Sequence, residues 1–197
     1  MKIKIALLGI LMIFLYIIPA YAGAPLNTVQ TNVNKVLDVL RDPALKADSA
    51  KEAKKEKIKA IYSDMFDEVE IAKRTLGRNW NKLNNAQRKE FVGLYRDILE
   101  KAYIDKILAY TNEKITYEKE VNLTKNKFEV QTLIITSSKK IPISYRVFLK
   151  GGTWKVYDVI IENVSLVQNY RTQFNSILDK SSPEQLLETL RKKVKAQ

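Results

Sequence analysis

The chain has 197 residues, with 34 Lys and Arg against 22 Asp and Glu, a net charge of +12, and neither histidine nor cysteine. Without imidazole it lacks the commonest general base and zinc ligand; without thiol it lacks cysteine nucleophiles, soft metal sites and disulfides. Ser-His-Asp catalysis is thereby excluded, and no G-x-S-x-G, P-loop or G-x-G-x-x-G occurs.

Lys2 and Lys4 precede an apolar run from Ile5 to Ile18, which Pro19 breaks before Ala20-Tyr21-Ala22. This is the order of a secretory signal peptide with an A-x-A cleavage site. The run falls short of the ~20 residues that a membrane-spanning helix needs. No Cys follows the site, which excludes a lipid-anchored form. The expected organisation is a signal peptide over 1–22 and a single domain over 23–197, which is 175 residues, 197 less 22. The expected compartment is the periplasm. Without Lys2 and Lys4 the charge is still +10, 32 basic against 22 acidic residues. Such a balance suits anionic lipid headgroups or acidic proteins. Nucleic acid is not expected as a partner of an exported chain. Solubility alone is the competing reading of the charge.

Leu26, Val29, Val33, Val36, Leu37 and Leu40 recur at helical spacing, and Asp42-Pro43 ends that helix. Ser49 to Phe66 reads as a second helix. Its first half, KEAKKEKIK, is a solvated charged face or a docking patch. Asp67 to Leu76 is a short helix stopped by Gly77. Asn84 with Gln87 fits a capping box. The helix they open extends toward Tyr110, about 39 Å long, with Phe91, Leu94, Tyr95, Ile98, Leu99, Tyr103 and Ile107 on its apolar side.

Four strands follow, at Ile115 to Leu123, Lys127 to Thr136, Ile141 to Lys150 and Thr153 to Ile161, with turn-like separations that predict an antiparallel meander. Gly151-Gly152 is a two-residue hairpin loop. It sets Leu149 opposite Trp154, Val147 opposite Val156, Tyr145 opposite Asp158 and Ile143 opposite Ile160. Carried back, the same parity pairs Ile143 with Ile134, Val147 with Val130, and Val121 with Val130. One face then collects Val121, Val130, Ile134, Ile143, Tyr145, Val147, Trp154, Val156 and Ile160. Leu133, Ile135, Phe148, Tyr157, Val159 and Ile161 interrupt the polar face. After a turn at Glu162-Asn163, Ser165 to Leu178 reads as a helix with Tyr170, Phe174 and Ile177 inward. Ser182-Pro183-Glu184 opens a last helix ending in Arg191-Lys192-Lys193.

Asp158 is the one carboxylate expected on the apolar face. It reads either as a proton-transfer base in an apolar cavity or as a structural group bonded by Tyr145 or Arg171. Tyr170 and Arg171, beside Asn169, read as a cavity rim or as core plus a salt bridge. Periodicity does not tell a filled core from an apolar cavity.

A resemblance goes further. Leu76-Gly77-Arg78-Asn79-Trp80, Gln87-Arg88 with Phe91, Leu99 to Tyr103 and Tyr110 match one known pattern in order and spacing. So do Tyr145-Arg146-Val147, Trp154-Lys155-Val156-Tyr157-Asp158, and Val164-Ser165-Leu166-Val167 through Asn169-Tyr170-Arg171 to Phe174. Together they resemble the periplasmic phospholipid-binding MlaC family, also called the toluene-tolerance family of ABC-transporter auxiliary proteins. Asn163 departs from the glycine more usual there.

The resemblance implies an α+β fold, a four-stranded antiparallel sheet covered on one face by helices, nuclear-transport-factor-like, around an apolar cavity. It implies a phospholipid carrier, not an enzyme, with no cofactor and no metal. Its partners would be an inner-membrane ABC transporter with lipid-binding ring subunits and an outer-membrane lipoprotein–porin complex, reached close to the membrane. The candidate cavity residues are Phe91, Leu94, Tyr95, Ile98, Val130, Ile134, Tyr145, Val147, Val156, Tyr170 and Phe174, with Arg171 and Asn169 at the headgroup or rim. The alternatives are carriage of another lipid, of hopanoid type, a related enzyme using Asp158, and an adaptor binding acidic partners through its lysines.

Overall fold

The computed structural model describes residues 23–110 and 113–196. The expected signal peptide, 1–22, lies outside the described residues. The described residues form six α-helices: α1 (Ala24–Arg41), α2 (Lys51–Met65), α3 (Glu68–Leu76), α4 (Asn85–Leu108), α5 (Leu166–Leu178) and α6 (Pro183–Ala196). Five strands form one sheet in sequence order: β1 (Lys114–Thr124), β2 (Lys127–Ile135), β3 (Lys140–Lys150), β4 (Thr153–Ile161) and β5 (Val164–Ser165). The sheet is antiparallel throughout. It has one strand more than expected, the two-residue β5, which follows a turn whose residues Glu162 and Asn163 have φ of 48° and 67°. Asparagine tolerates that region through its short polar side chain.

Local signals place the helix ends. Asn84 accepts from the Gln87 N–H while the Gln87 side chain accepts from the Asn84 N–H, a complete capping box at α4. The Asp67 carboxylate accepts from Glu70 N–H at the start of α3, and Ser165 Oγ accepts from Gln168 N–H at the start of α5. Gly77 ends α3 at φ 56°. Trp80 lies in the short 3-10 segment, residues 77–82, that leads to α4.

Three features of the sheet differ from the register expected above. At the β2–β3 turn, Thr136 Oγ1 accepts from the Ser138 and Lys139 N–H groups. This tightens the loop, so Ile134 pairs with Ile141 and Val130 with Tyr145. That is a two-residue slide, which leaves every side chain on its expected face. In β1 a shift between Tyr117 and Lys119 pairs Glu120 with Val130 and Val121 with Glu129. Glu120 therefore turns to the helix side, where its carboxylate accepts from Leu26 N–H at the N-terminus of α1. Val121 turns away.

The third is a bulge in β4. Val147 pairs with Val156, but Arg146 pairs with Asp158, Tyr145 with Val159 and Ile143 with Ile161. Two residues, Tyr157 and Asp158, stand against one, and parity reverses beyond them. Val159 and Ile161 face inward, while Ile160 borders a shallow groove of about 390 Å³ on the outer face with Glu129, Gln131, Ser144 and Arg146.

The helices divide the interior. Ile71, Leu76, Phe91, Ile98, Phe174, Leu186 and Leu190, from α3, the N-terminal half of α4, α5 and α6, form one closed core. Val29, Met65, Val130, Val147, Trp154 and Val156 form a second, between α1, α2 and the Gly151-Gly152 end of the sheet.

Candidate functional site

Beyond the second core the helices leave the sheet. A cavity of about 890 Å³ opens between α1, α2, the C-terminal half of α4 and the sheet end that carries the β2–β3 turn. That volume lies near the top of the ~300–1,000 Å³ range of small-molecule sites. Each wall comes from an amphipathic pattern. Val33, Val36, Leu37 and Leu40 recur along α1, Ile58, Ile61 and Tyr62 along α2, and Leu99, Tyr103 and Ile107 along α4. The sheet adds Ile115, Ile134, Ile141, Ile143, Tyr145, Val159 and Ile161, alternate residues of neighbouring strands. Most of these apolar residues keep some accessible surface, because that surface faces the cavity.

The charged residues of the lining are Lys59, Arg96, Asp97, Glu100, Lys106, Lys139 and Glu162, all exposed or half-buried, and the buried Asp158. Lys59 Nζ lies 2.9 Å from both Glu100 and Glu56, whose hydrogen bonds hold its ammonium above the ordinary lysine range. Arg96 lies 3.1 Å from Asp97 and 3.8 Å from Glu68. Lys139 and Glu162 are 4.0 Å apart, across two turns. Lys106 has no carboxylate partner among the described residues and lies 5.1 Å from the Tyr103 ring centroid. Burial raises the phenols of Tyr62, Tyr95 and Tyr145 above the ordinary tyrosine range, so at neutral pH the inner wall carries hydroxyls and no phenolates.

Of the candidate residues, Tyr95, Ile134 and Tyr145 line this cavity. The others lie elsewhere. Phe91, Ile98, Tyr170 and Phe174 are sealed in the first core, with Leu94 packed against it. The Phe91, Tyr95, Tyr170 and Phe174 rings meet at centroid distances of 5.1 to 5.7 Å and so fill the space between α4 and α5. Val130, Val147 and Val156 are fully buried in the second core beneath α1 and α2. The Arg171 guanidinium donates to the Arg74 carbonyl in the last turn of α3, with Nε at 3.0 Å. It thus satisfies a helix C-terminus and does not border the cavity. Asn169 is exposed and accepts from Gln173 on its own helix.

Asp158 meets neither of the partners expected for it. It is 5% exposed; Ser165 Oγ donates to Oδ2 at 2.7 Å, Val167 N–H donates to Oδ1 at 3.1 Å, and Arg146 Nη1 lies 3.6 Å from Oδ2. Arg146 also reaches Glu129 at 3.1 Å. The bulge causes this pairing, since it sets Asp158 beside Arg146 and moves Tyr145 opposite Val159. Both carboxylate oxygens are thereby committed to the first turn of α5 and to one cation. Among the described residues no group of three or more acidic side chains is placed to hold a metal ion, and no helix is long and apolar enough to cross a membrane.

The missed wall residues, Val36, Leu40, Ile61 and Ile107 among them, had a readable signal in their helical spacing. What their spacing does not contain is the distance between α2 and α4. The isoleucines at Ile115, Ile134, Ile141, Ile143 and Ile161 cluster at one sheet end, which becomes visible only once the register is known.

Known proteins share this architecture. The phospholipid-binding protein from Ralstonia solanacearum, solved in complex with a phospholipid, matches with a TM-score of 0.76 at 20% identity, covering 86% of this chain and 96% of that one. At that identity the likeness is one of fold. The intermembrane phospholipid transport system binding protein MlaC of Haemophilus influenzae is 27% identical over 135 residues, 64% of this chain. The match spans 63% of that relative's own length. The MlaC protein family model matches residues 30–192, from within α1 to within α6. A match over that much of the fold makes this chain a member of the MlaC family.

Proposed function

We propose that this chain binds a phospholipid with its acyl chains in the 890 Å³ cavity and carries it through the periplasm between membrane-bound complexes. The observation that carries the reading is the lining: apolar side chains from three helices and the sheet, with one buried carboxylate, Asp158, tied to Ser165, Val167 and Arg146, and the other charges on exposed or half-buried residues. Such a site rewards length and apolarity more than any functional group. About ten methylenes taken from water contribute roughly 8 kcal/mol, a micromolar scale of affinity before the costs of association. The headgroup then stays at the charged border in contact with water, so that no desolvation cost arises. The names of the Haemophilus and Ralstonia relatives agree with this ligand class. The donor and acceptor complexes are proposed to be an outer-membrane lipoprotein–porin assembly and an inner-membrane ABC transporter with lipid-binding ring subunits. A signal peptide over 1–22, with a domain over 23–197, is proposed to bring the chain there.

Native mass spectrometry of the purified protein tests the ligand. A mass increment of phospholipid is expected, lost on delipidation and regained from phospholipid vesicles. A delipidated chain that folds but takes up no phospholipid removes the reading, and a different co-purified lipid replaces the ligand class.

A further inference from the structure

The two cavity walls α2 and α4 are not packed on one another: the main helix partner of α2 is α1, and those of α4 are α6 and α3. Ion pairs from α2 and from the start of α3 reach across to α4. Lys51 lies 3.7 Å from Asp105, Lys59 lies 2.9 Å from Glu100, and Glu68, at the start of α3, lies 3.8 Å from Arg96. As one partner advances from 51 to 59 to 68, the other retreats from 105 to 100 to 96. The pairs therefore form an antiparallel row along ~14 Å of α4. Lys59, Glu100 and Arg96 also border the cavity, so this row closes it on that side.

We propose that the seam between α2 and α4 is the portal through which acyl chains enter and leave, with the three ion pairs as its latch. This deepens the lipid-carrying reading above and rests on it. A seam parallel to the cavity lets an acyl chain move in sideways along its length instead of threading through one end. Exposed ion pairs contribute little and are screened by salt. Parting them costs far less than separating α4 from α6 or α3 from α5, whose shared faces hold buried Phe91, Leu186, Leu187, Phe174 and Ile71. The charged run at the start of α2 acquires a role here, since Lys51 and Lys59 are its first and last lysines.

The absence of cysteine makes a clean test available. Lys59→Cys with Glu100→Cys removes the central pair and allows a short, reducible bis-maleimide to bridge the seam. Transfer of a fluorescent phospholipid from loaded protein to phospholipid vesicles is then timed. The unlinked variant is expected to exchange faster than wild type. The linked variant is expected to exchange at least tenfold slower while keeping its bound lipid, and cleaving the linker should restore the rate. An unchanged rate after linking overturns the portal and assigns entry to the sheet-end mouth at Tyr110 and Lys139. Should the double variant not fold, the salt response decides. Wild-type exchange is expected to quicken as salt rises from about 0.01 M to about 1 M, where screening shortens from ~30 Å to ~3 Å, and Glu100→Gln is expected to flatten that response. Equal salt responses in the two proteins overturn the proposal. A wild-type chain that binds no phospholipid removes the carrier reading itself; one that binds but ignores the latch removes only the portal.

Discussion

The two halves of α4 have the same kind of sequence and opposite fates. Phe91 and Ile98, toward its N-terminal side, meet α3, α5 and α6 and have no exposed surface, and Tyr95 between them marks the boundary, buried yet part of the cavity wall. Leu99, Tyr103 and Ile107 in the second half face α1, α2 and the isoleucine end of the sheet across open volume. Both stretches present apolar residues every three or four positions. The difference lies in what the neighbouring chain delivers: three helices packed against α4 on one side, two that stand off from it on the other. Spacing dictates which face turns inward, and tertiary contacts alone decide whether the inside is filled.

Substitutions break this comparison in graded ways. The largest effect is expected in the sealed half. Phe91→Ala should cost about 3–5 kcal/mol in a denaturant titration, because its aromatic neighbours cannot all collapse into the hole. In the cavity half, Ile143→Ala should cost only about 1 kcal/mol, since one side of Ile143 already faces space. Ile143→Trp should fold as wild type does and take up less phospholipid. Equal losses from the two alanine variants would mean that the cavity is as tightly packed as the core.

An intermediate effect is expected at Asp158. Asp158→Asn should lose about 1–3 kcal/mol, because the amide cannot reproduce the charge-assisted contacts to Arg146, Ser165 and Val167. Phospholipid transfer by the folded variant should be unchanged. A variant of wild-type stability that no longer transfers lipid would instead give this carboxylate a direct part in function.

The smallest expected effect is at Glu68, at the start of α3, which faces Arg96 of α4. One of its oxygens, Oε1, is buried without a hydrogen-bond partner among the described residues, and burial raises its carboxyl above the ordinary value of 4.5. The folded chain then binds the proton more tightly than the unfolded one. Stability should fall as pH rises from 4.5 through the raised value, and stay lower above it. Glu68→Gln removes that loss. It should be more stable than wild type at neutral pH by less than about 1 kcal/mol, since solvent screens a group this exposed. The difference should vanish below pH 4.5, as chemical denaturation at several pH values would show.

How much of this was readable depends on where the signal is local. Asn84 with Gln87, Ser165, Gly77 and the Gly151-Gly152 loop each carry their own geometry, and the structure places a cap or turn at each. The strand faces were not readable in β1, where the shift after Tyr117 turns Glu120 inward and Val121 away, but they were in β2, in β3 and in β4 as far as Val156. Beyond that point the pattern gave no warning, because β4 is apolar in both parities: Val156 and Ile160 in one, Val159 and Ile161 in the other. A bulge in a strand with two apolar faces leaves no trace in its hydrophobic alternation. The candidate site suffered from the same blindness. It mixed sealed positions such as Phe174 and Val130 with cavity positions such as Ile134 and Tyr145, for both kinds are apolar and regularly spaced. Arg171 and Asn169 drew notice as polar groups beside Tyr170, yet a helix-end contact and a solvent-facing amide account for them.

The β4 bulge bears on what sort of vessel this protein is. In an unbroken strand Asp158 would stand opposite Tyr145, and an acidic group would project among the isoleucines. Packing apolar groups against an unpartnered carboxylate there would strip it of water at a large cost. The extra residue at Tyr157 instead ties that acid to the α5 N-terminus and to Arg146, partnered where it still touches the cavity lining, and turns Val159 and Ile161 into the cavity. A single unmatched position in one hairpin thus leaves the one buried carboxylate of the lining fully partnered and two more apolar side chains facing the cavity.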